Sequence, residues 1–376
     1  MSTTAPERGA AAPVSRPHDR PPASRMPAVR ILLMLPAGLV LLAGLDAALL
    51  LLGLPAPVST ERLPQVHGML LVFSFVGTVI ALERAVALRH PAGFTAPALL
   101  GLGGLLLLSP APLALGKTAQ LLGAAALVAV YVPLWRRQRD DAVLVQAFGG
   151  VLATGGLLLW LGGVPISALL PWLVGFIVLT IGGERLELAR LAMGPAAGCR
   201  LVLLAAGVAT GVVASLLWPA VGYPLLGLAT LAFAGWLGVH DVAWRTIRST
   251  GLPRFMAGYC WLVVAAGTWL LTGATVDGPG YDAVVHAVFL GFTLSMIMAH
   301  APVILPAVLR RPLPYHPALL VPAVVLHLSL VLRLWVGDSL GVQLAWQVGG
   351  VGNIAALLLF VATAAWSAAS AGRRQR

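Results

Sequence analysis

Twelve runs of apolar residues, each close to the length that crosses a lipid bilayer, follow one another along this chain. A membrane-spanning helix needs roughly 20 apolar residues. Overall, 59% of the residues are hydrophobic and 10% are charged, whereas soluble domains are about 45–50% apolar and about 25% charged. The chain is therefore not a soluble globular protein, and we predict an all-α, polytopic membrane protein.

Proline, glycine and charged residues separate the apolar runs and set the boundaries of the predicted spans. The predicted organisation is a disordered cytoplasmic tail over residues 1–28, a single transmembrane domain over 29–370 and a basic cytoplasmic tail over 371–376. The twelve predicted spans are 29–53, 65–88, 94–109, 118–135, 142–163, 167–189, 200–218, 222–243, 255–276, 282–309, 317–336 and 342–369.

The net charge of +11 follows from where the arginines lie. With the amino terminus inside, the inner loops collect most of the arginines, and the outer side holds only Arg62, Lys117 and Arg333. Cytoplasmic loops of membrane proteins carry such an excess of positive charge. We therefore predict a bacterial cytoplasmic (inner) membrane protein with both termini in the cytoplasm. The lipid bilayer accounts for the charge, and no nucleic-acid partner is expected.

A weak internal repeat relates the second, sixth and tenth spans. Glu83-Arg84 in span 2 aligns with Glu184-Arg185 in span 6, and His67 and Phe73 in span 2 align with His286 and Phe292 in span 10. Similar helices at these positions predict three repeated four-helix units. The alternative is chance similarity among helices rich in leucine, alanine and glycine.

Histidines inside the predicted membrane are the first candidates for chemistry, because ionisable groups at that depth are costly and usually functional. His67 and His286 lie roughly 5–8 Å below the outer surface by helical rise. Two neutral imidazoles that face each other can supply both axial ligands of a haem iron. Arg333 is then the expected cation for the haem propionates, although it could instead be an arginine that snorkels to the membrane surface.

A second polar layer is predicted near the cytoplasmic side. His300 follows His286 by 14 residues, about 21 Å along the helix, so the two cannot bind one metal. The same depth contains Glu83, Glu184, His240 and Asp241. This inner polar cluster could bind a metal or relay protons, or its Glu-Arg neighbours could be ion pairs.

Two further membrane-embedded groups have no partner nearby in sequence. His327, near the middle of span 11, is a candidate haem or copper ligand, or a histidine held by a hydrogen bond. Asp46 lies in the outer half of span 1. No nucleotide-binding, serine-hydrolase or zinc-protease motif accompanies these groups, so the sequence leaves open whether the protein is an enzyme.

The segments HGMLLVFSFVGT, HAVFLGFTLSMIMAHAPVILPAVLRR, YHP and LHLSLVLRL resemble the NnrS family of bacterial haem- and copper-containing membrane proteins linked to nitric oxide stress. Members of that family carry a GHTGR-like stretch after span 10, where this chain has RRPLPYHP with His316 as the counterpart histidine. The resemblance implies haem, of b-type, bound by His67 and His286. It also implies His300 and His327 as candidates for a second haem or copper, and nitric oxide as a small gaseous ligand.

The twelve-span plan is also distantly similar to the catalytic subunit of haem-copper oxidases and nitric oxide reductases. The paired histidines of that superfamily are absent here, so oxygen reduction with proton pumping is not expected. Two other functions remain open: a proton- or cation-coupled secondary transporter that uses the inner polar cluster, and a structural membrane protein without a cofactor. The electron donor is not indicated.

Overall fold

The computed structural model describes residues 26–194, 196–241, 256–309, 313–314 and 316–374, and in these residues the only regular structure is helical. Within these described residues, eleven helices are long and apolar enough to cross a membrane, and a twelfth, shorter apolar helix brings the number to the twelve spans predicted. The apolar spans are α1 (Val29–Leu51), α2 (Arg62–Leu88), α3 (Pro91–Leu108), α4 (Leu113–Gln138), α5 (Asp141–Leu161), α6 (Ile166–Ala189), α7 (Ala197–Leu217), α8 (Pro219–His240), α9 (Ala257–Thr272), α10 (Gly278–Pro306), α11 (Pro317–Ser339) and α12 (Gln343–Ser370).

These helices confirm the prediction of an all-α polytopic membrane protein. Leucines such as Leu203 and Leu271, 67% and 84% exposed, lie on the outside of the bundle, where hydrocarbon rather than water suits them. Helix α1 begins at Met26 and α12 continues to Arg374, so helix extends into both segments predicted as tails. Residues 1–25, most of the predicted amino-terminal tail, and residue 255, the predicted start of the ninth span, lie outside the described residues.

The helices related by the sequence repeat lie at the centre of the bundle. In α2 and α6, 72% and 78% of the most apolar window is buried, more than in any other span of the described chain. Phe73 of α2 stacks on Phe176 of α6 with ring centroids 5.6 Å apart, and α10 contacts both helices. Consecutive helices pack as antiparallel neighbours around this centre, and α12 returns to contact α1.

Helices α2, α10 and α11 each contain a π-helical segment, in which the hydrogen bonds span one residue more than in an α-helix. The segments are Leu70–Gly77 in α2, Ala287–Leu294 in α10 and Leu332–Ser339 in α11. His67 and His286 precede the first two segments closely, and Arg333 lies within the third. Such segments widen a helix locally and are frequent at functional sites.

The α7–α8 hairpin depends on a close approach at Gly222. A Cβ atom added there would lie 2.1 Å from the amide nitrogen of Ser215, a main-chain atom that cannot rotate away. By contrast, an added Cβ at Gly235, in the same helix, meets nothing within 4 Å. Small residues at helix contacts let backbones approach in this way in membrane proteins.

We expect Gly222→Ala to lower the free energy of unfolding by about 1–3 kcal/mol, because the new methyl group forces α7 and α8 apart. Thermal unfolding of the detergent-purified protein measures this as a lower midpoint. Gly235→Ala is the matched control, and its midpoint should stay the same or rise, since alanine favours helix. Equal midpoints for Gly222→Ala and the wild type would contradict the packing described here.

Candidate functional site

His67 of α2 is held in one orientation by the main chain of α1. Its Nδ1 atom lies 2.9 Å from the carbonyl oxygen of Gly44. A carbonyl oxygen only accepts hydrogen bonds, so Nδ1 carries the proton and the lone pair is on Nε2. No residue that the structure describes forms a hydrogen bond with Nε2. In its neutral form the imidazole is therefore oriented and able to donate a lone pair to a metal.

His286 of α10 has a similar but stronger anchor. Its Nδ1 atom lies 2.9 Å from the carbonyl oxygen of Asp282, one turn earlier, and 3.1 Å from the Oδ1 atom of the same residue. Metal-binding histidines are commonly oriented by a carboxylate or a carbonyl at the second ring nitrogen. Among the described residues, none forms a hydrogen bond with Nε2 of His286. The two histidines thus present equivalent nitrogens.

Both histidines line one cavity between α1, α2, α6, α10, α11 and α12, called here the histidine cavity. It encloses about 100 Å³. Apart from the two histidines, Tyr281, Arg333 and Asn353, its walls are apolar. The apolar walls include Leu45, Leu71, Leu170, Leu173, Phe289, Ile354 and Leu357.

Arg333 closes one side of the histidine cavity, and its charge is already balanced. Its Nε and Nη2 atoms donate to the two carboxylate oxygens of Asp282 at 2.9 and 2.8 Å. The guanidinium also lies 5.0 Å from the ring centroid of Trp346. Arg333 was predicted to bind haem propionates. In the structure it lines the same cavity as both histidines, but two of its nitrogens already donate hydrogen bonds to Asp282. Sequence reasoning missed Asp282, although it lies four residues before His286, the spacing of one helical turn.

His300, a predicted metal ligand, is part of a buried ion-pair network. Its Nδ1 atom lies 2.7 Å from the carbonyl oxygen of Met296, and Arg185 donates to its Nε2. Arg185 also donates to both carboxylate oxygens of Asp241, which accepts a further hydrogen bond of 2.6 Å from the hydroxyl of Tyr259. Both ring nitrogens of His300 are therefore occupied by protein groups, and a metal there would have to displace Arg185.

His327 is likewise held by neighbouring side chains. The indole nitrogen of Trp261 donates to its Nδ1 at 2.9 Å, and the Ser295 hydroxyl lies 3.4 Å from its Nε2. This is the hydrogen-bonded alternative that the sequence left open. Trp261 approaches closely because the facing residue on α10 is Gly291, where an added Cβ would lie 2.3 Å from the indole.

The predicted inner polar cluster divides into two networks. The first contains Arg84, which donates to Glu83 and, at 2.8 Å, to Glu187, while Gln146 donates to the same Glu187 at 3.0 Å. The second is the Arg185 network with His300. The repeated Glu-Arg pairs of span 2 and span 6 pointed to both arginines, whereas Gln146, Glu187 and Tyr259 carried no sequence signal.

Two members of the predicted cluster behave differently from the rest. Glu184 is half-buried, and its Oε1 atom has no hydrogen-bond partner among the described residues; the same is true of the buried hydroxyl of Tyr131. His240 joins neither network, because its Nδ1 lies 2.9 Å from the carbonyl of Trp236 and its ring stacks on that tryptophan. The structure therefore does not bring His240 and His300 together through a hydrogen bond.

In the described part of the chain, no group of three or more histidine, cysteine, aspartate or glutamate side chains converges in a way that could hold a metal ion. The histidine cavity supplies two nitrogens only. Two axial nitrogens are enough for haem, in which the porphyrin supplies the other four ligands.

The fold and these sites define an all-α, multi-pass membrane protein with two histidines on one cavity between its helices. A family model described as "Domain of unknown function (DUF8744)" matches residues 30–369, and the chain belongs to this family. No curated protein and no solved structure matches this chain.

We expect Tyr259→Phe to destabilise the protein by about 1.5–3 kcal/mol, the usual worth of a hydrogen bond to a charged group. The variant removes only the hydroxyl that donates to Asp241, and the thermal midpoint in detergent measures the effect. Tyr223→Phe is the matched control, because the hydroxyl of that buried tyrosine bonds to no residue that the structure describes. Equal midpoints for the two variants would show that the Arg185 network does not need Tyr259.

Proposed function

We propose that this chain is a haem-binding membrane protein in which His67 and His286 are the axial ligands. The proposal rests on three features that the two histidines share. Each has its Nδ1 atom fixed by a main-chain carbonyl, each leaves Nε2 without a partner in the described chain, and both line one apolar cavity.

The donor set suits haem better than a bare metal ion. Two imidazole ligands with apolar walls provide little to neutralise a free cation, whereas a porphyrin fills apolar space and brings its own nitrogens. The cavity of about 100 Å³ is smaller than typical small-molecule sites of about 300–1,000 Å³. Haem binding therefore requires apolar side chains such as Leu71 and Phe289 to move outward from the positions described.

The surrounding residues have distinct roles in this proposal. Haem, when bound, supplies an iron that exchanges single electrons and binds small gaseous ligands. Gly44 and Asp282 orient the two ligands, and the Asp282 carboxylate makes His286 the stronger electron donor of the pair. Arg333 neutralises Asp282, and its guanidinium could also donate a hydrogen bond to a haem propionate.

The resemblance to the NnrS family supports a role in nitric oxide and nitrosative-stress tolerance or in a redox response. Under this proposal the protein lies in the bacterial cytoplasmic membrane with both termini inside, as the arginine distribution indicates. Copper stays a secondary proposal, since His300 and His327 both make hydrogen bonds to protein side chains.

The direct test is a reduced-minus-oxidised optical spectrum of the detergent-purified protein, made in cells with ample haem, with iron analysis of the same sample. We expect a Soret band with paired α and β bands near one iron per chain, and loss of this low-spin spectrum in His67→Ala and in His286→Ala. His240→Ala, which removes a histidine outside the cavity, is the control and should keep the spectrum. Full haem content with an unchanged spectrum in both cavity variants would refute the assignment.

A second candidate function is proton- or cation-coupled transport through the first inner network. It is favoured by the unpartnered polar atoms there: Glu184 Oε1, the Tyr131 hydroxyl, and Oε1 of Gln146. Buried polar atoms without a partner are costly, so such atoms commonly meet water or a transported ion. The Arg84–Glu187 pair lies between α2 and α6, the helices at the centre of the bundle.

If transport is the function, the protein reconstituted in liposomes without haem should carry protons down an imposed gradient. A pH-sensitive dye inside the vesicles reports this flux. Glu184→Gln should abolish it, because the amide cannot exchange a proton, whereas Asp140→Asn, at the start of α5, should not. A haem spectrum with no proton flux would decide against transport.

A further inference from the structure

A second, larger cavity lies on the other face of α1, and we call it the α1–α12 cavity. It encloses about 510 Å³, within the usual range of small-molecule sites, about 300–1,000 Å³. Its walls come from α1, the loop after α1, the start of α2, the end of α3 and α12. The lining includes Leu42, Leu45, Asp46, Thr60, Ile354 and Leu358.

Among the described residues that line this cavity, Asp46 is the single ionisable one. Its Oδ2 atom accepts a hydrogen bond of 3.1 Å from the amide of Val58 and so anchors the loop after α1. Its Oδ1 atom is buried and accepts no hydrogen bond from the described chain. A buried acceptor that stays unpaired costs about 1–3 kcal/mol, more for a charged group. A ligand hydroxyl that displaces the side chains covering this oxygen can supply the missing donor.

The cavity offers this acceptor but no cation. Arg62, the residue before the lining residue Leu63, is bound elsewhere: its Nη1 atom donates to the carbonyl oxygens of Ser109 and Ala111. A phospholipid headgroup would bring a phosphate that nothing in the lining neutralises. A ligand with an uncharged, hydroxyl-bearing headgroup and an apolar tail matches the lining. The Thr60 side chain contributes a hydroxyl of the protein to the same cavity. Leu42 and Leu358, 56% and 45% exposed, place the opening towards lipid.

The α1–α12 cavity and the histidine cavity share a wall. Leu45 and Ile354 line both cavities. Gly44, the residue before Leu45, provides the carbonyl that orients His67. A ligand of Asp46 would therefore lie one layer of side chains from the proposed haem.

We propose that the α1–α12 cavity binds a lipid-soluble hydroquinone, with one phenolic hydroxyl donating to Oδ1 of Asp46. An apolar tail would leave between α1 and α12 into the bilayer. A hydroquinone combines the hydroxyl donor and apolar body that the lining selects, and it is the class of electron carrier that reaches a membrane protein from the lipid. The choice of an electron carrier rests on the proposed haem function; the binding itself does not.

Equilibrium binding to the purified full-length protein tests this proposal. The probes are a radiolabelled decyl-substituted benzohydroquinone, kept reduced without oxygen, and the corresponding quinone. We expect the hydroquinone to bind saturably and about tenfold or more tightly than the quinone, because the quinone has no hydrogen to donate to Asp46. Equal affinity for the two forms would overturn the proposal.

Asp46→Asn gives the sharper result. The asparagine oxygen can still accept from the Val58 amide, so the loop keeps its anchor, while the amide nitrogen turns a donor towards the cavity. We expect this variant to lose the preference for hydroquinone or to reverse it. Leu358→Trp, which narrows the cavity from α12, should weaken the binding of both forms equally. An unchanged preference in Asp46→Asn would also overturn the proposal.

His67→Ala separates this proposal from the haem assignment. Hydroquinone binding should be unchanged in His67→Ala even where the haem spectrum is lost. If the variant loses hydroquinone binding as well, the ligand occupies the histidine cavity and the α1–α12 cavity is not its site. The hydroquinone proposal would also be refuted if a phospholipid stayed bound through purification and the hydroquinone did not displace it.

Discussion

The cost of placing a charge in hydrocarbon governs the interior of this protein. A charged side chain in the bilayer interior is retained only where another group compensates it. Arg84 of α2 pairs with Glu187 of α6, Arg185 of α6 pairs with Asp241 directly after α8, and Arg333 of α11 pairs with Asp282 of α10. Because these partners lie on different helices, each pair also fixes how two helices meet. Arg185–Asp241 is buried on both sides, and losing one partner of a buried pair typically costs about 3–5 kcal/mol, so this pair holds its helices together more firmly than a surface ion pair would.

The same rule explains why histidines that look alike in sequence differ in the structure. His300 lies beside a charged guanidinium, which takes its second nitrogen, and His327 receives a hydrogen bond from Trp261. His67 and His286 each meet a carbonyl oxygen at one nitrogen only, and both residues line a shared cavity. What separates a ligand candidate from a structural histidine here is the number of ring nitrogens that the protein itself satisfies. The π-helical segments that begin one to three residues after His67 and His286 add local space at that point.

The fold could be predicted well from sequence because hydrophobic length and charge punctuation are local signals. The repeat likewise pointed to α2, α6 and α10, which the structure places at the centre. The partners of the site residues were less accessible. A main-chain acceptor such as the Gly44 carbonyl leaves no mark in a sequence, and Arg185 lies 115 residues from His300. Sequence depth alone placed His240 beside His300, but the orientation of its ring towards Trp236 depends on a hydrogen bond within its own helix turn. The depth of a side chain in the membrane could be predicted from the sequence, but the direction in which the side chain points could not.

Helix α1 connects the two cavities. The carbonyl of Gly44 orients His67, the side chain of Leu45 lines both cavities, and the carboxylate of Asp46 lies in the second cavity. Three consecutive residues can do this because each step along a helix turns by about 100° and so presents a different direction. The contact with α2 is close, since a Cβ added at Gly44 would lie 2.4 Å from the Leu71 side chain. A shift of α1 along its axis would therefore move the anchor of His67 and the acceptor of the α1–α12 cavity together. The two cavities thus share a helix but no polar group, because the anchor of His67 is a main-chain carbonyl and the acceptor in the α1–α12 cavity is a side chain.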